Sequence, residues 1–311
     1  MSDQHLRGQK LVSERELAKL IQAKDVSFYI GMVPFPITYE TRHMLIVGRP
    51  GTGKTTLINE ILLSLRDRGV KAIIHDFKGD YVSKFYDPDK DCIFNPLDTR
   101  SVHWCPLSEV QMYADVDSIA TSLIPESKAQ DKFWVDAARD VFSSILHILL
   151  RSGEISNQAI WRYSSLTEPE MIEVISQAVS QGIEPARRAL GYLQGYERGS
   201  KVASDVLSTM KQHTNCFEYM THLESRFSLR DWVESPEGGF LYVTNYVNVA
   251  DTLRPMTTLV VDLVLKHLLS LQDDRNRRMF IVLDEFANML RLSTVVKALE
   301  TARSKGGAII I

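Results

Sequence analysis

Residues 48–55 read Gly48-Arg49-Pro50-Gly51-Thr52-Gly53-Lys54-Thr55 and fit G-x-x-x-x-G-K-[ST] at every position. Glycines at these places let backbone N–H groups curl round a phosphate chain without Cβ clashes. Lys54 can reach the β- and γ-phosphates, where it would both bind and serve phosphoryl transfer. The Thr55 hydroxyl is the kind of group that ligates Mg²⁺ beside phosphate oxygens. Thr56 continues into a helix whose positive end faces the same anion. Chance produces such a match in roughly one chain per hundred of this length. The strand-then-helix context lowers that further, so residues 48–56 are expected to hold a nucleoside triphosphate with Mg²⁺.

A second constellation lies far downstream. Met279-Phe280-Ile281-Val282-Leu283 is an apolar strand pattern that ends in Asp284-Glu285. With a phosphate loop upstream, Asp284 is expected to hold Mg²⁺ and Glu285 to polarise the attacking water as a general base. His75-Asp76-Phe77-Lys78-Gly79-Asp80 ends another strand pattern. Its charges fit either a contact near the nucleotide or the neighbouring subunit, or a solvated turn in which Gly79 supplies positive φ. Arg303 lies on the helix after the second constellation, where it fits a finger into a neighbouring site or a surface arginine. Arg275, Arg277 and Arg278 fit a DNA-facing patch, with a solvated turn as the plainer account. The histidines, such as His43, His103 and His213, show no ligand spacing and read as structural. No Ser-His-Asp or G-x-S-x-G arrangement is present.

These residues need a scaffold that brings distant segments to one edge. His43 to Val47 reads as a short strand and Thr55 to Arg66 as a helix closed by Gly69. Lys71 to Asp76 reads as the next buried strand. Strands alternating with helices imply a parallel sheet covered on both faces. An earlier helix is expected over Glu14 to Ala23. From about Ser108 to Glu234 helical patterns dominate, clearest at Phe133 to Leu150, Glu168 to Gln181 and Ser200 to Met220. Strand patterns return at Gly239 to Thr244, Met279 to Asp284 and Gly307 to Ile311, with helices at Arg254 to Leu271 and Thr294 to Arg303. The expected class is α/β, a P-loop NTPase fold with an inserted all-α domain. Residues 1–107 form its first part, 108–235 the insertion and 236–311 the continuation. An apolar strand pattern at Ile311 reads as a truncation on that side of the sheet.

The 311 residues are 44% hydrophobic and 24% charged, ordinary for a globular chain large enough to bury a real core. The three cysteines are an odd number without a C-x-x-C pair, which reads as a reducing setting rather than a disulfide or zinc framework. No apolar run is long enough to span a membrane, and Met1 to Lys10 lacks a signal-peptide core. The net charge of −3 gives no compositional support to nucleic-acid binding. A ring-shaped assembly needs only a positive pore, which net charge would not reveal.

The order of the motifs resembles the TraD/TrwB group of type IV coupling proteins, its TraD branch in particular. The resemblance covers nearly the whole chain. It is carried by Arg7-Gly8, the P-loop, Asp76 to Asp80, and Asn95-Pro96-Leu97-Asp98-Thr99-Arg100 with Trp104. It continues through Leu123-Ile124-Pro125, Phe133-Trp134, Arg230-Asp231-Trp232, Arg275 to Arg278, Asp284-Glu285 and Ala302-Arg303 with Gly306-Gly307. The resemblance implies a RecA/FtsK-like ATPase that uses ATP and Mg²⁺ and assembles as a homo-hexamer at the cytoplasmic face of the bacterial inner membrane. It implies as partners a relaxase-bound single strand of DNA and a type IV secretion channel, and it makes Arg303 a candidate arginine finger.

Two departures stand beside it. The family carries an N-terminal membrane anchor that this chain lacks, and its sheet continues past Ile311 to a γ-phosphate-sensing glutamine. The chain is therefore expected to bind nucleotide but to hydrolyse it slowly. A nucleotide-gated docking module, recruiting relaxosome or protein substrates without moving DNA, is the second reading. A DNA pump of another type, for chromosome segregation or end processing, is a third, against which the Asn95 to Arg100 segment and the helical insertion speak.

Overall fold

The structure, a computed structural model, describes residues 11–22, 24–126, 131–194 and 201–311. Helix α1 (Glu14–Leu20) starts at a capping box in which Ser13 and Glu16 satisfy each other's backbone N–H groups. The expected last residue of this helix, Ala23, lies outside the described residues. Strands β1 (Val26–Ile30) and β2 (Val33–Pro36) form an antiparallel hairpin.

Helix α2 (Lys54–Asp67) follows the glycine-rich loop and leads to β3 (Lys71–Asp76). A short turn of helix, α3 (Val82–Phe85), precedes β4 (Cys92–Phe94). Among the described residues no strand then occurs before β5 (Phe240–Thr244). The interval holds α4 (Tyr113–Leu123), α5 (Lys132–Ser152), α6 (Asn157–Ser164), α7 (Glu168–Ser180), α8 (Glu184–Gln194), α9 (Val202–Thr214) and α10 (Leu229–Glu234). The helix expected to run through Met220 ends at Thr214, and Asn215–Met220 continues as a 3₁₀ turn. Its expected first residue, Ser200, lies outside the described residues.

Helix α11 (Ala250–Ser270) leads to β6 (Met279–Leu283), then α12 (Val295–Thr301) and β7 (Gly307–Ile310). The main sheet is parallel, in the order β4-β5-β3-β6-β7. Alternation along its strands sorts side chains into two cores. Ala72, Ile74, Phe280, Val282, Ala308 and Ile310 pack with Ile58, Ile61, Leu62 and Leu65 of α2. Ile73, Leu241, Val243, Ile281, Leu283 and Ile309 face the other way, into a core continuous with α11 and the helical interval. Helix α11 is apolar nearly all round because it is covered on both sides, by the sheet and by α4 and α10.

His43 to Val47 departs from the expected strand. It lies parallel to β7 with one bridge, Met44 to Ile310. Backbone bonds run from Met44 N to Ile309 O (2.8 Å), Ile46 N to Ile311 O (2.7 Å) and Ile311 N to Met44 O (3.0 Å). His43 adopts φ 64°, which breaks the extended run at its start. Leu45 and Val47, which the pattern assigns to a buried strand, are 72% and 82% exposed. The segment still sets the P-loop beside β7, and β7 separates it from β6.

Candidate functional site

Open parallel sheets gather ligands at the carboxyl ends of their strands. Here the P-loop, the end of β3 and the end of β6 meet at that edge. Gly51 and Gly53 take φ 79° and 91°, the left-handed region in which a side chain is strained, so the loop's path depends on both being glycine. Gly53 is also the N-cap of α2, so the helix N-terminus opens directly from the loop. Gly48, Arg49, Pro50, Thr52, Thr55 and Thr56 are all exposed, and Lys54 is half-buried. Lys54 Nζ donates to Gly48 O at 2.7 Å, and Thr52 Oγ1 donates to Arg49 O at 2.7 Å. The lysine thus arches over the loop from the first turn of α2.

Asp284 and Glu285 emerge at the end of β6. His75 pairs with Leu283 in the β3–β6 register, which sets the end of β3 beside both carboxylates. His75 Nδ1 lies 2.8 Å from Asp284 O, and burial lowers the imidazole's pKa. Glu285 has φ 51° without being glycine, a strained conformation of the kind concentrated at functional sites. Lys78 Nζ lies 3.4 Å from Glu285 Oε1. A cavity of about 190 Å³ is lined by Lys54, Asp284, Glu285, Phe286, Leu45 and Ile311 among others. Lys54 and the two carboxylates, 230 positions apart in the expectation from sequence, therefore share one cavity.

Three relationships at this edge escape the sequence pattern. Tyr81, fully buried, donates its phenolic O–H to Asp284 Oδ2 at 2.7 Å. Asp76 Oδ2 accepts the N–H groups of Tyr81 (2.9 Å) and Val82 (2.8 Å), so Asp76 shapes the turn that carries Tyr81. Burial pushes the Asp76 carboxyl up to about 6. His75 orients the Asp284 backbone. The only local signal for Tyr81 is its place directly after the Asp76 to Asp80 segment.

Arg303 is not gathered here. It sits in the 3₁₀ turn Ala302–Lys305 before β7, at the amino ends of the strands and opposite the P-loop edge. It lines a groove of about 660 Å³ with Arg275, Arg278, Thr38, Thr41 and Ser304. Arg278 Nε pairs with the buried Glu40 at 3.0 Å, which Arg68 also holds at 2.6 Å. Arg277 donates to Gln272 O at 2.9 Å. These two arginines knit the turn together, and Arg275 and Arg303 are exposed. A further cavity of about 410 Å³, lined by Met112, Tyr113, His147 and Arg151, lies in the helical interval away from the chemistry.

A family model described as the type IV secretion-system coupling protein DNA-binding domain matches residues 27–311. The chain belongs to this coupling-protein family. Among its relatives is the coupling protein TraD of Escherichia coli (strain K12), 26% identical over 306 residues, which cover 95% of this chain and 41% of TraD. The chain thus spans about two fifths of that relative. The plasmid coupling protein TrwB in complex with ADP and Mg²⁺ superposes with a TM-score of 0.86 at 28% identity, over 98% of this chain and 71% of TrwB. TrwB with the non-hydrolysable ATP analogue ADPNP gives the same TM-score at 27% identity, over 99% of this chain and 72% of TrwB. The coupling-protein fold of this chain is therefore that of a P-loop NTPase. Among its described residues no helix is long and apolar enough to cross a membrane. Arg7-Gly8, part of the resemblance, lies outside the described residues.

Proposed function

We propose that this chain is the ATPase core of a conjugative type IV coupling protein, powering or gating the passage of relaxase-bound single-stranded DNA into a secretion channel. The observation that carries this reading is the meeting of Lys54, Asp284 and Glu285 in one cavity at the carboxyl ends of the sheet. The N-H groups of residues 48–56 would cradle the phosphates of ATP, with Lys54 turning from the Gly48 carbonyl to the β- and γ-phosphates.

Thr55 offers a hydroxyl and Asp284 a carboxylate, hard-oxygen donors suited to Mg²⁺, with nucleotide oxygens and water completing its shell. Among the described residues no group of three or more His, Cys, Asp or Glu is arranged to hold a metal, so binding would depend on the nucleotide. When bound, Mg²⁺ supplies charge neutralisation at the β- and γ-oxygens. Glu285, a half-exposed carboxylate beside Lys78, would accept the proton of the attacking water. Arg303, at the far end of the sheet from its own P-loop, would act on a neighbouring copy in a homo-hexamer.

The same reading divides the chain into 1–107 and 236–311 as one NTPase unit and 108–235 as an inserted all-α unit. It places the protein at the cytoplasmic face of the bacterial inner membrane. A docking module is the second reading. Met112 and Tyr113, 63% and 59% exposed and lining the helical cavity, favour it. The test is ATP hydrolysis by the wild-type chain and Lys54→Ala, with and without single-stranded DNA. Turnover stimulated by DNA and abolished in Lys54→Ala supports the motor. Lys54-dependent nucleotide binding with DNA-independent turnover supports docking instead.

A further inference from the structure

Tyr81 joins the turn after β3 to the end of β6, where its O–H donates to Asp284 Oδ2 at 2.7 Å. A phenol has one proton to give, and here it goes to the carboxylate. Asp284 Oδ1 meanwhile accepts Glu285 N–H at 3.0 Å. Both carboxylate oxygens are therefore fixed in direction, and each keeps further lone-pair capacity.

The clamp is held from behind. Asp76 grips the backbone N–H of Tyr81 and of Val82, which fixes the turn that carries the ring. A buried tyrosine hydroxyl usually finds a hydrogen-bond partner. Here it is the carboxylate that follows the β6 strand.

We propose that Tyr81 is a positioning residue for Mg²⁺: its hydroxyl holds the Asp284 carboxylate in direction as an oxygen donor for the cation that accompanies the nucleotide. This rests on the nucleotide-site reading above. Orienting partners behind metal-binding groups typically matter 10- to 100-fold in metal affinity, of order that range here too. Packing alone would be preserved by phenylalanine, which fills the same space.

The experiment titrates Mg²⁺ into wild type and Tyr81→Phe with a fluorescent ADP, starting in EDTA, and follows melting of both proteins without metal. The expected result is equal ADP affinity in EDTA and a Mg²⁺ midpoint roughly 10-fold higher in Tyr81→Phe. A lower melting temperature with an unmoved midpoint overturns the proposal, since a packing role gives that pattern. If wild type itself shows no Mg²⁺-dependent gain in ADP binding, the nucleotide-site reading falls, and the Tyr81 assignment with it. A second variant, Asp284→Asn, guards the interpretation. Adding Tyr81→Phe to it should move the midpoint no further, and an additive shift overturns the clamp.

Discussion

Lys78 Nζ and Glu285 Oε1 lie 3.4 Å apart, an ion pair that joins the turn after β3 to the end of β6. Both side chains are about half exposed, so the pair contributes only about 0–1 kcal/mol to folding. A pair this weak can still orient the carboxylate. Lys78→Ala is expected to leave melting and ADP affinity unchanged and to lower kcat several-fold, on the order of 3- to 10-fold, through a less ordered base. Steady-state kinetics separate kcat from KM, and an unchanged kcat would remove Lys78 from the chemistry.

Glu285 is strained by its left-handed backbone. Glu285→Gly should relieve about 1 kcal/mol and raise the melting temperature while abolishing turnover. Glu285→Gln keeps the strain and should cut kcat about 100-fold or more with ADP binding intact. A melting temperature for Glu285→Gly below that of Glu285→Gln would contradict the strain account.

Asp76 makes stability depend on pH in an unusual direction. Burial raises its folded pKa to about 6 from an ordinary 3.8. The folded state therefore takes up this proton before the unfolded state does. This one group adds stability as pH falls from above 6 toward 4, and the charged form is a cost at neutral pH. Asp76→Asn can still accept from Tyr81 and Val82. It should match or exceed wild type in melting temperature at pH 8 and lose that advantage at pH near 5, in paired melts across roughly that range.

Glu109 has the opposite sign. Burial alone would raise its pKa, but His267, whose Nε2 lies 3.2 Å away, and bonds from Leu229 N–H and Trp104 outweigh it and leave the carboxyl below its ordinary value of 4.5. Trp104 Nε1 donates to Oε1 at 2.8 Å and Leu229 N at 2.7 Å, while Arg230 N reaches Oε2 at 3.1 Å. The stability it contributes is present above its unfolded pKa and lost as pH falls through the folded one. Glu109→Ala is expected to cost about 3–5 kcal/mol, measured by urea unfolding at pH 7. It should also flatten the acid limb of the melting profile.

Arg303 lies at the amino ends of the strands, away from its own P-loop. Arg303→Ala should therefore bind ADP as wild type does and lose turnover only in the assembled state. Mixing Arg303→Ala with Glu285→Gln chains should restore part of the turnover, because some interfaces then pair an intact base with an intact arginine. No recovery on mixing would place Arg303 outside a shared site.

The phosphate loop was legible in the sequence because its geometry is local. Gly51 and Gly53 answer φ values that only the loop itself imposes, and α2 begins at Lys54 whatever the rest of the chain does. The apolar run Met279 to Leu283 was legible for a similar reason, since a strand buried on both faces must be apolar throughout. His43 to Val47 read as a strand on the same grounds, yet whether it pairs depends on the neighbour that β7 provides and on the φ of His43. Tyr81 on Asp284 spans 203 positions, and Trp104, Leu229, Arg230 and His267 on Glu109 come from a loop and two separate helices. Strand order decides such meetings: β3 lies beside β6 only because the long helical interval returns the chain to the same sheet. Local pattern fixes which groups each element carries, whereas the energy that sets elements side by side comes from burying whole faces at once, and only the folded chain supplies that.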